Sequence, residues 1–171
     1  MNFVSSYTFD YIVSFNKTYL IMITPSKLNT FLMFKLPSAW LCGVRVRKIN
    51  ERDCVVTVKH KWISQNPFKS MFWAVQGMAA ELTTGALVME RIRISGKKIS
   101  MLVANNNATF TKKATGKITF ICEGGHLIND AIEKTIETGE GQTLWLKSVG
   151  TNEDGVEVST FNFEWTVRLK K

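Results

Sequence analysis

The sequence predicts an α+β domain in which a curved antiparallel sheet wraps around one long central helix. Three observations lead there. First, Ser64 to Arg91 reads SQNPFKSMFWAVQGMAAELTTGALVMER, and between Met71 and Met89 it carries a single charge, Glu81. A helix that is apolar on nearly all sides must be covered on nearly all sides. Second, the chain on either side alternates apolar and polar residues with the period of a strand, most strictly at the end, where Phe161, Phe163, Trp165, Val167 and Leu169 oppose Thr160, Asn162, Glu164, Thr166 and Arg168. Third, the central segment is a poor membrane span. It lies at the short end of the ~17–25 residues required, and Gln76, Glu81, Thr83 and Thr84 fall at its centre, where an ionised acid costs roughly 2.5–3.5 kcal/mol.

Length and composition fit one domain with a real core: 171 residues, 45% apolar and 21% charged. The net charge of +8 and pI near 9.5 favour anionic partners. The basic residues are spread through VRVRK, KHK, RIR, GKK, TKK and RLKK, the pattern of solvated strand faces, so charge alone selects no partner. With no recognition helix or aromatic platform, no nucleic-acid partner is expected, and without a spanning segment no membrane partner either. Cys42, Cys54 and Cys122 are odd in number and widely spaced. They read as buried, reduced thiols of a cytoplasmic protein and not as a disulfide frame. Two histidines, His60 and His126, are too few for a histidine-rich metal centre, and no metal is expected.

Taken in order, residues 1–21 are aromatic but weakly patterned. They lack a basic leader before a continuous apolar run, and they read as a loosely attached extension to a domain spanning 22–171. Thr24-Pro25-Ser26 is a helix start, followed by Leu28, Phe31, Leu32 and Phe34 as an amphipathic turn or two that Pro37-Ser38-Ala39-Trp40 ends. A hairpin follows, with Cys42, Val44 and Val46 in one arm, Cys54, Val56 and Val58 in the other, and the turn within Lys48 to Asp53. The central helix starts through Ser64-Gln65-Asn66-Pro67 and leaves through Ile94-Ser95-Gly96-Lys97-Lys98. Strands resume at Ile99 to Thr111 and Lys117 to Glu123. Gly124 to Thr138 is a short amphipathic helix inserted between strands, and Gln142 to Val149 and Val156 to Leu169 form the closing hairpin.

The order of elements from Pro37 to Leu169, together with Asn66 to Gly85, resembles the hotdog-fold thioesterases. Within them it is most similar to the phenylacetate-degradation branch and to a group of short single-domain proteins. Asn66 matches that branch's loop asparagine and Glu81 its acid, at the family's spacing of fifteen residues (81 − 66 = 15). Its His-Gly-Gly step falls on Phe72-Trp73-Ala74, a departure. Phe110 to Gly116 looks like its Phe-x-basic-Pro-Ala-x-Gly turn, with Lys113 where proline is usual.

The resemblance implies hydrolysis of an acyl thioester at a site shared between subunits, hence a homodimer or a dimer of dimers. The substrate would be an acyl-coenzyme A or acyl-carrier thioester, with no resident cofactor. Glu81 is then general base or nucleophile, Asn66 orients water or carbonyl, and Thr84 hydrogen-bonds the acid or the water. The backbone amides of Trp73 and Ala74 receive the oxyanion, and Lys112 and Lys113 hold coenzyme A phosphates. Glu81 lies roughly 12 Å along the helix from those amides, so it serves a site built with another copy's helix start.

Plain roles stand beside these. Asn66 before Pro67 is equally a helix N-cap, Glu81 a buried acid satisfied by Thr83, Thr84 or a strand arginine, and Lys112-Lys113 a solvated turn. A hotdog protein that binds an acyl-thioester or fatty acyl ligand without turnover is the alternative function.

Overall fold

The computed structural model describes residues 23–170; the expectation of an extension over residues 1–21 lies outside them. Helix α1 (Pro25–Lys35) starts as its sequence demands. Thr24 is the N-cap, its Oγ1 accepting from the Lys27 amide at 3.3 Å, and Pro25 occupies the first turn. Only Leu28 and Leu32 are buried in it; Phe31 and Phe34 point to solvent. This helix ends where expected, with Leu36 as its C-cap just before Pro37, and Pro37 then opens a second short helix, α2 (Pro37–Leu41). Strands β1 (Arg45–Ile49) and β2 (Cys54–Lys59) pair as the expected hairpin. The Asn29 side chain bonds both the amide and the carbonyl of Val46, at 2.9 and 3.0 Å, and so covers part of the β1 edge.

Next come a 3-10 turn (Trp62–Ser64) and the central helix α3 (Trp73–Ser95), then β3 (Ile99–Phe110), β4 (Lys117–Cys122), α4 (Gly125–Thr138), β5 (Gln142–Thr151) and β6 (Glu157–Leu169). The sheet has six strands in the order β1-β2-β4-β5-β6-β3, every neighbouring pair antiparallel. Register shifts at Val46/Lys48, Val103/Asn105 and Gly150/Thr151 add the local bends that let it curve. At Gly150 a Cβ would lie 2.5 Å from the Phe120 ring, so only glycine lets this pair of strands close over that side chain.

Helix α3 lies against β2, β4, β5 and β6, with Ala79, Ala80, Leu87 and Val88 at most 1% exposed. The alternation in β6 does what its pattern requires: Phe161, Phe163, Trp165 and Val167 are buried. Gly96 ends α3 in the left-handed conformation at φ 66°, the geometry for which glycine carries no steric cost. Cys54 and Cys122 are buried, unbonded thiols directly opposite one another on β2 and β4, and burial pushes them up to about 12 and about 11. Cys42 is only half-buried and sits outside any strand. Among the described residues no helix is long and apolar enough to cross a membrane.

Candidate functional site

The start of α3 differs from the sequence expectation. Asn66 does not cap the helix, which begins seven residues later with Phe72 as N-cap and no side-chain cap. Asn66 instead closes the turn from 66 to 70: its Oδ1 accepts from the amides of Phe68 at 2.9 Å and Ser70 at 3.2 Å, and its Nδ2 donates to Ser70 Oγ at 3.1 Å. The strand-like bridge between Gln65 and Met71 then feeds the chain into the helix. The amides of Val75 and Gln76 both close on the Phe72 carbonyl, at 3.0 and 3.3 Å. That leaves the amides of Trp73 and Ala74 as the unclaimed pair at the positive end of the helix dipole.

Beside this helix start a groove of about 370 Å³ brings together Asn66, Trp73, Lys112 and Lys113 with Ser70, Gln76 and Phe110. The two lysines are exposed, on a loop tied to the helix start by the Met71 amide bonding the Ala114 carbonyl at 2.8 Å. Gln76 is a residue that the sequence reading passed over. It is 4% exposed, donates to the Met71 carbonyl at 3.2 Å and accepts from Ser159 Oγ at 2.9 Å, so it fixes the helix start against β6 and walls the groove. Its one sequence signal is an amide inside an otherwise apolar stretch.

Glu81 and Thr84 do not reach that groove. They lie two turns and more along α3, Glu81 on a ridge with Gly77 and Gly85 one turn to either side. These glycines do different things. A Cβ on Gly77 would meet only Phe161, at 3.5 Å, whereas one on Gly85 would lie 3.2 Å from the Trp165 ring and 3.5 Å from Glu81 Oε1. The ridge is the helix's least covered side, and Glu81 is half-buried in it. Burial pushes its carboxyl above the ordinary value of 4.5, and among the described residues no hydrogen bond reaches it.

Thr84 does not meet that carboxyl either. Its hydroxyl donates to the Glu81 main-chain carbonyl at 2.9 Å and accepts from Trp165 Nε1 at 3.0 Å, which holds the indole under the ridge. Thr83 donates to Ser148 Oγ at 2.9 Å, away from the acid.

A second acid in the same helix shows what a structural carboxylate looks like here. Glu90 is 2% exposed, deeper than Glu81, yet it accepts from the Ile23 amide at 2.8 Å and forms a two-pronged pair with Arg93 at 2.6 and 2.8 Å. Its own chain satisfies it. Among the described residues, Glu81 is the acid left unclaimed. No three His, Cys, Asp or Glu side chains among the described residues come together as metal ligands.

The curved six-stranded antiparallel sheet around a long helix is the hotdog fold. It is shared with a protein of unknown function from Pseudomonas aeruginosa described as a probable thioesterase, at TM-score 0.75 and 19% identity over 88% of this chain and 99% of that one. A protein of unknown function from Chlorobaculum tepidum matches at TM-score 0.74 and 14% identity, over 87% of this chain and 99% of that one. A thioesterase from Haemophilus influenzae matches at TM-score 0.66 and 14% identity, over 86% and 92%. By sequence, residues 25–167 match the model of a domain of unknown function, DUF4442, and the chain belongs to that family. No curated protein matches the chain by sequence.

Proposed function

We propose that the chain hydrolyses an acyl thioester at a site shared between two copies, with Glu81 of one copy facing the Trp73 and Ala74 amides of the other. The observation that carries this is the Glu81 carboxyl: half-buried, without a hydrogen-bond partner among the described residues, raised by desolvation, and set on the least covered ridge of the central helix. Glu90 shows that this chain satisfies an acid when the acid is only structural.

In the proposed step the Glu81 carboxylate takes a proton from water as the water oxygen bonds to the acyl carbon. The carbonyl oxygen gains negative charge against the two amides. Collapse then breaks the C–S bond, and the departing thiolate takes up the proton, leaving a carboxylic acid and a thiol. Asn66, with an amide hydrogen beyond those its turn uses, orients the carbonyl or the water, and Thr84 positions the ridge through Trp165. Lys112 and Lys113 supply charge at the groove for the phosphates of a coenzyme A or carrier-bound thioester. The phenylacetate-degradation likeness belongs with this reading, since it rests on Asn66 and Glu81.

A second copy enters through β3. Among the described residues it is an edge strand of twelve residues, paired only with β6, and it contains neither a charge nor a proline, the usual devices that keep an edge from pairing. Antiparallel pairing of two such edges joins two sheets and brings a second helix start into reach of Glu81.

A non-catalytic acyl-ligand protein is favoured by one feature. The indole of Trp73 is 58% exposed at the helix start, where the resemblance to the phenylacetate-degradation branch would place part of a His-Gly-Gly step. Hydrolysis of a panel of short, long and aromatic acyl-coenzyme A thioesters separates the two. The unmodified protein is expected to turn over at least one member, with activity rising with pH along a limb above the ordinary carboxylate range. Glu81→Gln should lower kcat by about 10²-fold or more while preserving the circular dichroism spectrum. Undiminished turnover in that variant removes Glu81 from the mechanism, and ligand binding without turnover by the unmodified protein leaves the binding function.

A further inference from the structure

The loop between β2 and α3 raises an apolar tip to solvent: Trp62 is 84% exposed, Phe68 74% and Ile63 50%. Such side chains on a mobile loop would mean little, but this loop is pinned. Ser64, 1% exposed, accepts from the Lys61 amide through its hydroxyl at 2.9 Å, and its carbonyl accepts from the Phe72 amide at 2.8 Å. The Asn66 side chain fixes the backbone that carries Phe68, as described above. Lys69 stands in the left-handed region at φ 57°, a conformation in which a β-carbon is strained, and its side chain is exposed.

Charge surrounds the tip with one sign. Residues 59–73 and 110–117 contain six lysines and no acid, and the two stretches are joined by the His60 amide on the Gly116 carbonyl at 2.7 Å and the Met71 amide on that of Ala114 at 2.8 Å. The nearest acid tied to them is Glu153, whose carboxylate accepts from the Lys117 amide at 3.3 Å.

We infer that this end of the molecule docks on the surface of an anionic lipid bilayer, Trp62 and Phe68 entering the headgroup region while Lys59, Lys61 and Lys69 meet lipid phosphates. Trp62, Ile63 and Phe68 are exposed on a loop flanked by lysines and free of acids, which suits an anionic fluid surface. Tryptophan at the level of the headgroups with flanking lysine is the composition that interfacial binding favours. The groove lined by Trp73 and Phe110 shares Asn66 and Ser70 with this loop. The inference stands on this surface alone, and hydrolysis does not enter its test. The absence of a spanning segment, from which no membrane partner was expected, does not bear on docking of this kind.

The test is cosedimentation of the full chain with phosphatidylcholine vesicles with and without phosphatidylglycerol. Binding is expected to the anionic vesicles only and to weaken about tenfold or more between low salt and molar salt, where the Debye length shrinks to about 3 Å. Trp62→Ser with Phe68→Ser should weaken it by about tenfold or more. Lys69→Gly, which removes a charge while relieving the backbone, should weaken it without lowering the melting temperature. A blue shift of tryptophan emission on adding anionic vesicles should be lost in Trp62→Phe. The proposal is overturned by equal binding to neutral vesicles, by undiminished binding of the tip variants, or by a change in the tip variants' sedimentation from dimer to monomer, which would give the tip to a second copy. Capture of an acidic acyl carrier protein through Trp62 and Phe68, with no vesicle binding, would also overturn it.

Discussion

At the scale of single residues, the contrast between Glu81 and Glu90 decides how the central helix is understood. Both are glutamates in one apolar helix, and only partners tell them apart: Glu90 has the Ile23 amide and Arg93, whereas Glu81 has desolvation alone. The cost of that desolvation has a definite pH signature. Because the folded-state carboxyl is raised above 4.5, the folded protein holds this proton to higher pH than the unfolded chain does. The stability associated with the protonated acid is therefore complete below the ordinary carboxylate range and is lost as pH rises through the raised value. Glu81→Gln should abolish that loss, being more stable than the parent at neutral pH and no more stable in acid. Urea midpoints taken across about pH 4 to 8 would show it; parallel curves for parent and variant would mean that the acid is not desolvated in the folded protein.

At the scale of elements, α3 shows how small residues in a helix divide between packing and access. Gly77 and Gly85 occupy equivalent places one turn from Glu81, yet they should answer differently to a methyl group. Gly77→Ala meets Phe161 at an ordinary contact distance of 3.5 Å, so the gain in helix propensity, about 0.5–1 kcal/mol, should appear as added stability. Gly85→Ala places its methyl 3.2 Å from a Trp165 ring that cannot move without breaking its bond to Thr84, and should gain nothing or lose. Thermal unfolding of the two variants checks this, and an equal gain in both would show that the Trp165 ring is free to yield.

At the scale of the whole molecule, two features stand unpartnered among the described residues: the tip at Trp62 and Phe68, and the outer edge of β3. The edge belongs to the proposed shared site. Sedimentation at micromolar concentration is expected to give a dimer. Leu102→Lys with Ala104→Lys, both exposed on β3, should give a folded monomer that has lost thioester hydrolysis together with the dimer. A parent protein that sediments as a monomer while hydrolysing thioesters would show that the site needs no second copy.

Much of the fold was legible in the sequence because periodicity is a local property. The strict alternation of β6, the unbroken apolar run of α3 and the Thr24-Pro25 helix start each follow from residues a few positions apart, and each forms as its pattern requires. Where the pattern was ambiguous, the local signal misled. Asn66-Pro67 has the chemistry of a helix cap, but its side chain found nearer amides at Phe68 and Ser70, and the helix began only at Trp73. Pro37, by contrast, follows the end of α1 as its pattern requires and, suiting a helix's first turn as well, also opens α2. For the site, chain order supplies the residue types at hand: two helix acids, a pair of amides at a helix start, two turn lysines. Folding settles the rest: among the described residues Glu90 is satisfied while Glu81 is not, Thr84 serves Trp165 in place of the carboxyl, and Gln76 walls the groove. Those outcomes depend on contacts between residues up to 83 positions apart in the chain, such as Gln76 with Ser159, which a sequence pattern of period two or three and a half does not contain.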